Sequence, residues 1–207
     1  MSKKIKRVFI ANRGEIVKRI ASSAHLLDIE TVCVTTFPPP NYLLDSIDHF
    51  VFVAEETIGL FLDQKQLIRY AKESHCDSIH PGYGFLSENY QFAKLTAEAG
   101  LTWIGPPVKA MELMANKSTA RTLAKKVKVP CINALQDFSS DSKKGQTKLK
   151  DFIKENPLPF LVKAALGGGG KGMRLIKSLD KLDDQITAAS REAQKAFSDG
   201  SLIVEQF

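Results

Sequence analysis

The sequence predicts an α/β protein, in which a layered domain with a parallel sheet is followed by a smaller α+β lobe. Strand-like apolar runs alternate with helical patterns over the first half of the chain, which is typical of parallel sheets. A second group of strand and helix patterns surrounds the glycine-rich stretch "LGGGGKG" (166–172). At 207 residues, the chain is long enough for one large domain or two small ones.

The N-terminal segment contains a first βαβ unit. Residues 5–12 are a short apolar run bounded by polar residues, which predicts a buried strand. Apolar residues recur at helical spacing in 14–28, and the β-branched run 30–37 predicts a second strand. The prolines of "FPPP" (37–40) end this strand, because proline cannot donate to a β-ladder. A strand, a helix and a strand in this order predict two parallel strands.

Two more helices and two more strands are predicted before the middle of the chain. Residues 60–75 and 87–100 have helical patterns, and Ser87 is the expected N-cap of the second helix. The segment "CDSIHPGYGF" (76–85) predicts a short strand that runs into a glycine-rich turn. Residues 101–106 predict the last strand of this domain.

The second half of the chain begins with a helical connector that is broken near residues 114–118. The predicted organisation is 1–106 for the layered domain, 107–130 for the connector and 131–207 for the smaller lobe. The segment 139–146 is polar and is expected to be flexible. The elements expected in the lobe are a helix over 148–155, strands over 159–165 and 172–177, a helix over 180–197 and a strand over 202–207.

Composition and charge exclude several classes of protein. No apolar run approaches the ~20 residues of a membrane span, and the N-terminal apolar run is too short for a signal peptide. The net charge of +6 permits an anionic partner, but no basic stripe is interleaved with aromatic residues, so no nucleic-acid partner is expected. Cys33, Cys76 and Cys131 are far apart, which predicts buried free thiols in a reducing, cytoplasmic compartment.

Four glycines, Gly167 to Gly170, with Lys171 beside them, predict a loop that holds phosphate groups. Glycine exposes backbone N–H groups that can donate to phosphate oxygens, and the lysine adds a positive charge. The alternative is a hairpin turn that only needs a positive φ. Gly172 stands where a P-loop needs Ser or Thr, and "ANRGEI" lacks the glycines of a dinucleotide fingerprint. What remains is a glycine-rich hairpin that closes over a nucleotide.

Three charged residues are candidate ligands of such a nucleotide. Lys163 lies in an apolar strand pattern, where a lysine is costly to bury unless it meets an anion. Lys117 is a second candidate cation, at the break between the two connector helices. Glu205, near the end of the last strand, could accept a hydrogen bond from an adenine amino group or a ribose hydroxyl. For each of them, a solvated surface position is the alternative.

Four blocks of sequence together resemble one family. They are "IANRGEIVKRI" (10–20), "IHPGYGFLSEN" (79–89), "WIGP" (103–106) and "VKAALGGGGKGMR" (162–174). In order and spacing they resemble the N-terminal part of biotin carboxylase, the ATP-grasp component of acetyl-CoA, propionyl-CoA and pyruvate carboxylases. The resemblance spans essentially the whole chain.

The resemblance implies a fold and an ATP site. The implied fold is a Rossmann-like pre-ATP-grasp domain that binds no dinucleotide, followed by the lid lobe of an ATP-grasp domain. By resemblance, Lys117 and Lys163 contact the ATP phosphates, and Glu205 reads the adenine. The glycine loop would cover the phosphates, and the residues implied in that motif are Gly168, Gly169, Gly170, Lys171 and Met173.

The resemblance also implies a reaction and partners. The family uses ATP, bicarbonate and Mg²⁺ to carboxylate biotin on a carrier protein, through carboxyphosphate. Expected partners are a biotin carboxyl carrier protein or domain, a carboxyltransferase and a second copy of the chain in a homodimer. The family's metal-binding acidic pair, bicarbonate-binding residues and biotin-serving arginine belong to a second ATP-grasp lobe, which would follow Phe207. We therefore expect no catalytic residue and no metal ligand in this chain, and no biotin carboxylation by this chain alone.

Several positions depart from the family pattern. The segment after the second strand lacks the usual arginine, "ANKS" (115–118) replaces a Gly-Asp-Lys-like stretch, and Gln206 stands where a lysine is usual. Two alternatives therefore stay open. One is a non-catalytic assembly or binding remnant of a carboxylase, and the other is a different ATP-grasp ligase. The block "HPGYGFLSEN" (80–89) argues against the second.

Overall fold

A computed structural model describes residues 4–139, 142–166 and 173–207. The chain divides into two compact units, residues 1–111 and 112–207. The first unit contains a five-stranded parallel sheet, and the second contains a four-stranded antiparallel sheet. The predicted class, an α/β domain followed by a small α+β lobe, is confirmed.

The first unit alternates strands with helices. Its elements are β1 (Arg7–Ile10), α1 (Glu15–His25), β2 (Glu30–Thr35), α2 (Asn41–Leu44), β3 (His49–Phe52), α3 (Gln64–Glu73), β4 (Ser78–His80), α4 (Tyr90–Glu98) and β5 (Thr102–Trp103). A short 3₁₀ turn, Leu60–Leu62, precedes α3. The strand order is β3-β2-β1-β4-β5, and each neighbouring pair is parallel.

The sheet of the first unit is buried on both faces. Successive residues of β1 point to opposite faces, so the strand contributes to both apolar clusters. Val8 and Ile10 pack with the apolar side of α1, in a cluster that includes Val17 and Ala21. Phe9 packs on the other side, against apolar residues of α3 and α4. A strand covered on both faces needs an uninterrupted apolar run, which is the pattern that predicted β1.

Two features of the first unit differ from the prediction. The sequence patterns do not predict α2 or the edge strand β3, whose four residues pair with β2 through a long-range register. The predicted N-cap of α4 is wrong, because the Asn89 side chain takes that role and accepts from the Phe92 N–H at 2.9 Å. Ser87 lies in the preceding turn, where its N–H donates to the Gly84 carbonyl oxygen at 2.8 Å. Asparagine caps a helix as well as serine does, so position decided between them.

The chain passes into the second unit within α5 (Val108–Ala115). The elements that follow are α6 (Lys117–Lys126), β6 (Ala134–Phe138), α7 (Lys143–Glu155), β7 (Phe160–Ala164), β8 (Arg174–Ile176), α8 (Leu182–Phe197) and β9 (Leu202–Gln206). The strand order is β6-β9-β7-β8, and the pairs are antiparallel. The strand β9 therefore lies inside the sheet, between β6 and β7.

One face of the antiparallel sheet packs against α7 and α8. Phe160 and Val162 of β7 point to this face, together with Leu202 and Val204 of β9. Because side chains alternate along a strand, the residues between them lie on the opposite face, away from the two helices.

The helix break in the connector is confirmed. α5 ends at Ala115, and the Asn116 side chain caps α6 by accepting from two backbone N–H groups. The prediction of a flexible segment over 139–146 is wrong in its second half, because α7 begins at Lys143 after its cap, Ser142. The sequence patterns also do not predict β6, whose partner β9 is distant in the chain.

Two further predictions concern the cysteines and the absence of a membrane-spanning segment. Cys33 and Cys76 are buried free thiols, and burial raises the pKa of each to about 12. Cys131 is partly exposed, so the prediction of buried thiols is confirmed for two of the three. In the part of the chain that the structure describes, no helix is both long and apolar enough to cross a membrane.

Candidate functional site

The first candidate site is the crevice at the carboxyl ends of β1 and β4. After β1, the strands β2 and β3 extend the sheet to one edge, and β4 then pairs with the other side of β1. Ligands of open α/β sheets bind at such a change of direction. The segments after these strands, 11–15 and 81–89, belong to two of the blocks that carry the family resemblance.

A buried asparagine closes this crevice. Asn12 is 2 % exposed, and its side-chain nitrogen donates to the carbonyl oxygens of Pro81 at 2.7 Å and Tyr83 at 2.8 Å. Its side-chain oxygen accepts from the Arg13 N–H at 2.9 Å. Both amide protons of Asn12 are therefore used, and its oxygen is engaged as well.

The turn after β4 needs a glycine and a neutral histidine. Gly82 has a φ of 66°, and a Cβ at this position would lie 2.6 Å from the side-chain nitrogen of Asn12. The Gly82 N–H donates to Nδ1 of His80 at 3.0 Å, which requires that nitrogen to be unprotonated. Burial lowers the pKa of His80, which favours the same neutral state.

Arg13 is held in the same region. Its guanidinium donates to the Glu56 carbonyl oxygen at 3.2 Å. It also lies over the rings of Phe61 and Phe85, at 5.9 and 5.7 Å from their centroids. Asn12 therefore has a structural role, because its polar groups bond to the protein itself, and one guanidinium nitrogen of Arg13 does so as well.

The second candidate site is the face of the antiparallel sheet that points away from α7 and α8. Lys163 on β7 and Glu205 on β9 both lie on this face. Leu161 pairs with Glu205, and Lys163 pairs with Ile203, so the two charged residues are diagonal neighbours. The structure thus brings together two of the residues that the sequence singled out.

Two cations hold the carboxylate of Glu205. Nζ of Lys163 pairs with Oε2, and Nη1 of Arg121 lies 3.4 Å from Oε1. The side chains of Glu205, Arg121 and Lys163 are 9 %, 14 % and 24 % exposed, so Glu205 is not a solvated surface residue. A carboxylate buried to this degree needs such partners to offset the loss of its hydration.

Sequence reasoning missed Arg121. It lies one turn after Lys117 on α6, and its Nη2 also donates to the carbonyl oxygen of Ile132. Its Nε is buried and has no hydrogen-bond partner among the described residues. The signal that could have found it is the spacing of four between two cations, which places them on one side of a helix.

Two other predicted site residues, Lys117 and Met173, lie at or next to the start of an element. Lys117 begins α6, and its backbone N–H donates to the Ala165 carbonyl oxygen at 3.4 Å, so this helix starts beside the end of β7. Met173 is half exposed and directly precedes β8. The predicted loop residues that lie outside the described ranges are Gly167, Gly168, Gly169, Gly170 and Lys171.

The cluster around Glu205 can attract an anion. It contains two cations and one carboxylate, so one positive charge is not neutralised within it. Within residues 4–139, 142–166 and 173–207, no group of three or more His, Cys, Asp and Glu side chains is placed to hold a metal ion. The chemistry that these residues offer is therefore charge neutralisation by Lys163 and Arg121.

Family models match both units of the chain. Residues 4–111 match the model described as biotin carboxylase, N-terminal domain, and residues 116–207 match the model described as carbamoyl-phosphate synthase L chain, ATP binding domain. The second match defines the class of the second unit as an ATP-binding domain. The first match covers more than half of the chain, and the chain belongs to the biotin carboxylase family.

Individual relatives agree with this assignment. Pyruvate carboxylase from Staphylococcus aureus is 36% identical over 208 residues, which cover 99% of this chain and 18% of the relative. Biotin carboxylase from Haemophilus influenzae is 36% identical over 211 residues, which cover 98% of this chain and 45% of the relative. The chain thus spans less than half the length of either relative.

A solved structure shows the same fold. It is the biotin carboxylase domain of the Hydrogenobacter thermophilus 2-oxoglutarate carboxylase, in complex with MgADP, ADP and bicarbonate. The TM-score is 0.87 at 33% sequence identity, and the match covers 99% of this chain and 45% of that one. The fold of the described residues is therefore that of the corresponding part of a biotin carboxylase domain.

Proposed function

We propose that these residues supply part of the ATP site of a biotin carboxylase. The observation that carries the proposal is the cluster of Lys163, Glu205 and Arg121 on the sheet face away from α7 and α8. A partly buried lysine in a cluster with net positive charge offers what a nucleotide phosphate needs. The ATP-binding family model matched over 116–207 supports the same assignment.

Each predicted site residue has a role in this proposal. Lys163 and Lys117 bind phosphate oxygens, and Glu205 accepts a hydrogen bond from the adenine amino group. Backbone N–H groups of the glycine loop donate to the phosphates, while the neighbouring lysine adds charge. The residues of this loop motif are Gly168, Gly169, Gly170, Lys171 and Met173.

The proposal includes a domain organisation. Residues 1–106 form the pre-ATP-grasp domain, 107–130 the helical connector and 131–207 the first part of the ATP-grasp domain. The helices α5 and α6 lie in the proposed connector, and the boundary between the compact units also falls within it.

The reaction that we propose for the complete domain is carboxylation of carrier-bound biotin by bicarbonate and MgATP. Mg²⁺ bound with the nucleotide would supply neutralisation of the phosphate charge. In this proposal the 207 residues position the nucleotide, and no catalytic group or metal ligand is assigned to the residues that the structure describes. The relative with bound MgADP and bicarbonate supports this choice of substrates.

The proposed partners follow from the same reaction. They are a biotin carboxyl carrier protein or domain, a carboxyltransferase and a second copy of the chain. The proposed compartment is the cytoplasm.

Nucleotide titration followed by NMR tests the proposal, because chemical shifts detect even millimolar binding. We expect MgATP to shift the amide signals of β7, β8, β9 and the start of α6. In Lys163→Met, affinity should fall by about tenfold, the loss of one charged contact. Lys154→Met is the matched control, since that side chain is 77% exposed on α7 and should not matter.

Three results would contradict the proposal. The first is the absence of any shift at millimolar MgATP, and the second is a set of shifts confined to the crevice of β1 and β4. The third is bicarbonate-dependent ATP hydrolysis by the purified chain, which would show that a catalytic group lies within the 207 residues.

A further inference from the structure

The two cations that hold Glu205 are anchored differently. Arg121 bonds to the Ile132 carbonyl oxygen as well as to the carboxylate, and its side chain is 14% exposed. Lys163 has Glu205 as its ion-pair partner and is 24% exposed, on a flexible four-carbon stem. Arg121 is therefore the fixed partner of the carboxylate, and Lys163 is the exchangeable one.

When Lys163 turns its ammonium group towards a phosphate, Glu205 loses one of its two cationic partners. If Lys163 were the sole partner, its departure would leave a carboxylate buried and uncompensated, which is strongly unfavourable. Arg121 removes this obstacle, because it faces the other carboxylate oxygen and does not need to move.

We propose that Arg121 is a positioning residue for nucleotide binding, which keeps Glu205 neutralised while Lys163 exchanges the carboxylate for a phosphate. This inference rests on the proposed ATP site. It adds that the affinity for the phosphate chain depends on a residue that acts through Glu205 and Lys163.

A double-mutant cycle on the full 207-residue chain tests the inference. The ligands are MgATP and tripolyphosphate, which has no adenine and so reports on the phosphates alone. We expect Arg121→Met to weaken the binding of both ligands by about five- to tenfold, because Lys163 is then held by an otherwise unpaired carboxylate. Arg121→Lys retains a cation and should stay within about twofold of the unchanged protein.

The background Glu205→Gln separates an indirect role from direct phosphate contact. Without a carboxylate there is nothing for Arg121 to neutralise, so adding Arg121→Met to Glu205→Gln should change tripolyphosphate affinity by less than about twofold. Amide hydrogen exchange of β7 and β9 in each variant checks that the sheet is folded.

Each other outcome decides against the inference. An equal loss in both backgrounds means that Arg121 contacts the phosphate directly. Unchanged affinity in Arg121→Met, with reduced stability, means that its role is only structural, while the proposed ATP site stands. If the unchanged protein binds neither ligand, the proposed function is overturned and the inference falls with it. If Arg121→Met does not fold, a loss in Arg121→Lys equal to that in Lys163→Met would overturn the inference, because the retained charge should suffice.

Discussion

The crevice at the ends of β1 and β4 and the open face of β7 and β9 both gather polar side chains on a sheet. In the crevice, Asn12 is neutral and bonds to backbone carbonyl oxygens at 2.7 and 2.8 Å. On the open face, Glu205 is charged and bonds to two cationic side chains. The backbone carbonyl groups cannot turn away from Asn12, whereas the side chain of Lys163 can turn from Glu205 to another anion. The first arrangement therefore stabilises a turn, and the second is suited to binding.

The largest effect is expected for a substitution in the turn of the crevice. Gly82→Ala should lower the free energy of unfolding of the first unit by about 3 kcal/mol, from left-handed strain and the displacement of buried Asn12. Fluorescence of Trp103, the single tryptophan, reports on this unit.

Gly84→Ala is the matched control for this change. Gly84 has a φ of 65°, like Gly82, but a Cβ there would meet nothing within 4 Å. The expected loss is about 1 kcal/mol, from strain alone. Equal losses in the two variants would show that the contact with Asn12 contributes nothing.

The next effect tests the charged cluster of the second unit. Glu205→Gln leaves Lys163 and Arg121 facing each other without a carboxylate and should cost about 2 kcal/mol, less than for a fully buried pair because Lys163 reaches solvent. Amide hydrogen exchange of β7 and β9 measures it. Glu192→Gln is the control, since Glu192 pairs with Arg174 at 2.6 Å but is exposed, and exchange in β7 and β9 should not change. Faster exchange in both variants would argue against a special role for Glu205.

A smaller effect is expected at the N-cap of α4, where the crevice turn ends. Asn89→Ala removes the side chain that accepts from the Phe92 N–H and should destabilise the first unit by about 1 kcal/mol. Ser87→Ala should have almost no effect, because the side chain that caps the helix is that of Asn89. Urea unfolding followed by Trp103 fluorescence compares the two variants. A larger loss in Ser87→Ala would restore the cap predicted from the sequence.

The last effect is a pH dependence that belongs to the crevice alone. Burial lowers the pKa of His80 below 6.5, so the unfolded chain binds its proton first as the pH falls. Stability from neutral His80 is thus fully present above pH 6.5 and is lost as the pH falls from there through the folded-state pKa.

His80→Asn tests this dependence, because its side-chain oxygen can accept from the Gly82 N–H in place of Nδ1. Below pH 6.5 the variant should show a shallower loss of stability than the unchanged protein, by at most about 1.4 kcal/mol per pH unit. Thermal unfolding between pH 5 and 8, followed by Trp103 fluorescence, measures the difference. Parallel curves would mean that His80 does not titrate in this range.

The sequence predicted the parts of the site that depend on one strand or one motif. Lys163 stood out because a lysine interrupts an apolar strand, and the helix break at Asn116 was visible from its flanking residues. Arg121 did not stand out, because its meaning depends on Glu205, 84 positions later. The role of Asn12 was hidden for the same reason, since its partners follow a different strand.

By itself, the sequence determined the α/β class, most of the helices and the strands with uninterrupted apolar runs, because those follow from the local spacing of apolar residues. Only the tertiary structure decided that β6 and β3 are strands, since their pairing with β9 and β2 is long-range. It also decided that Asn12 bonds to backbone carbonyl groups and that Glu205 pairs with a partly exposed lysine. Hydrogen bonds and ion pairs depend on distances between atoms, and these are set only when separate segments of the chain pack together.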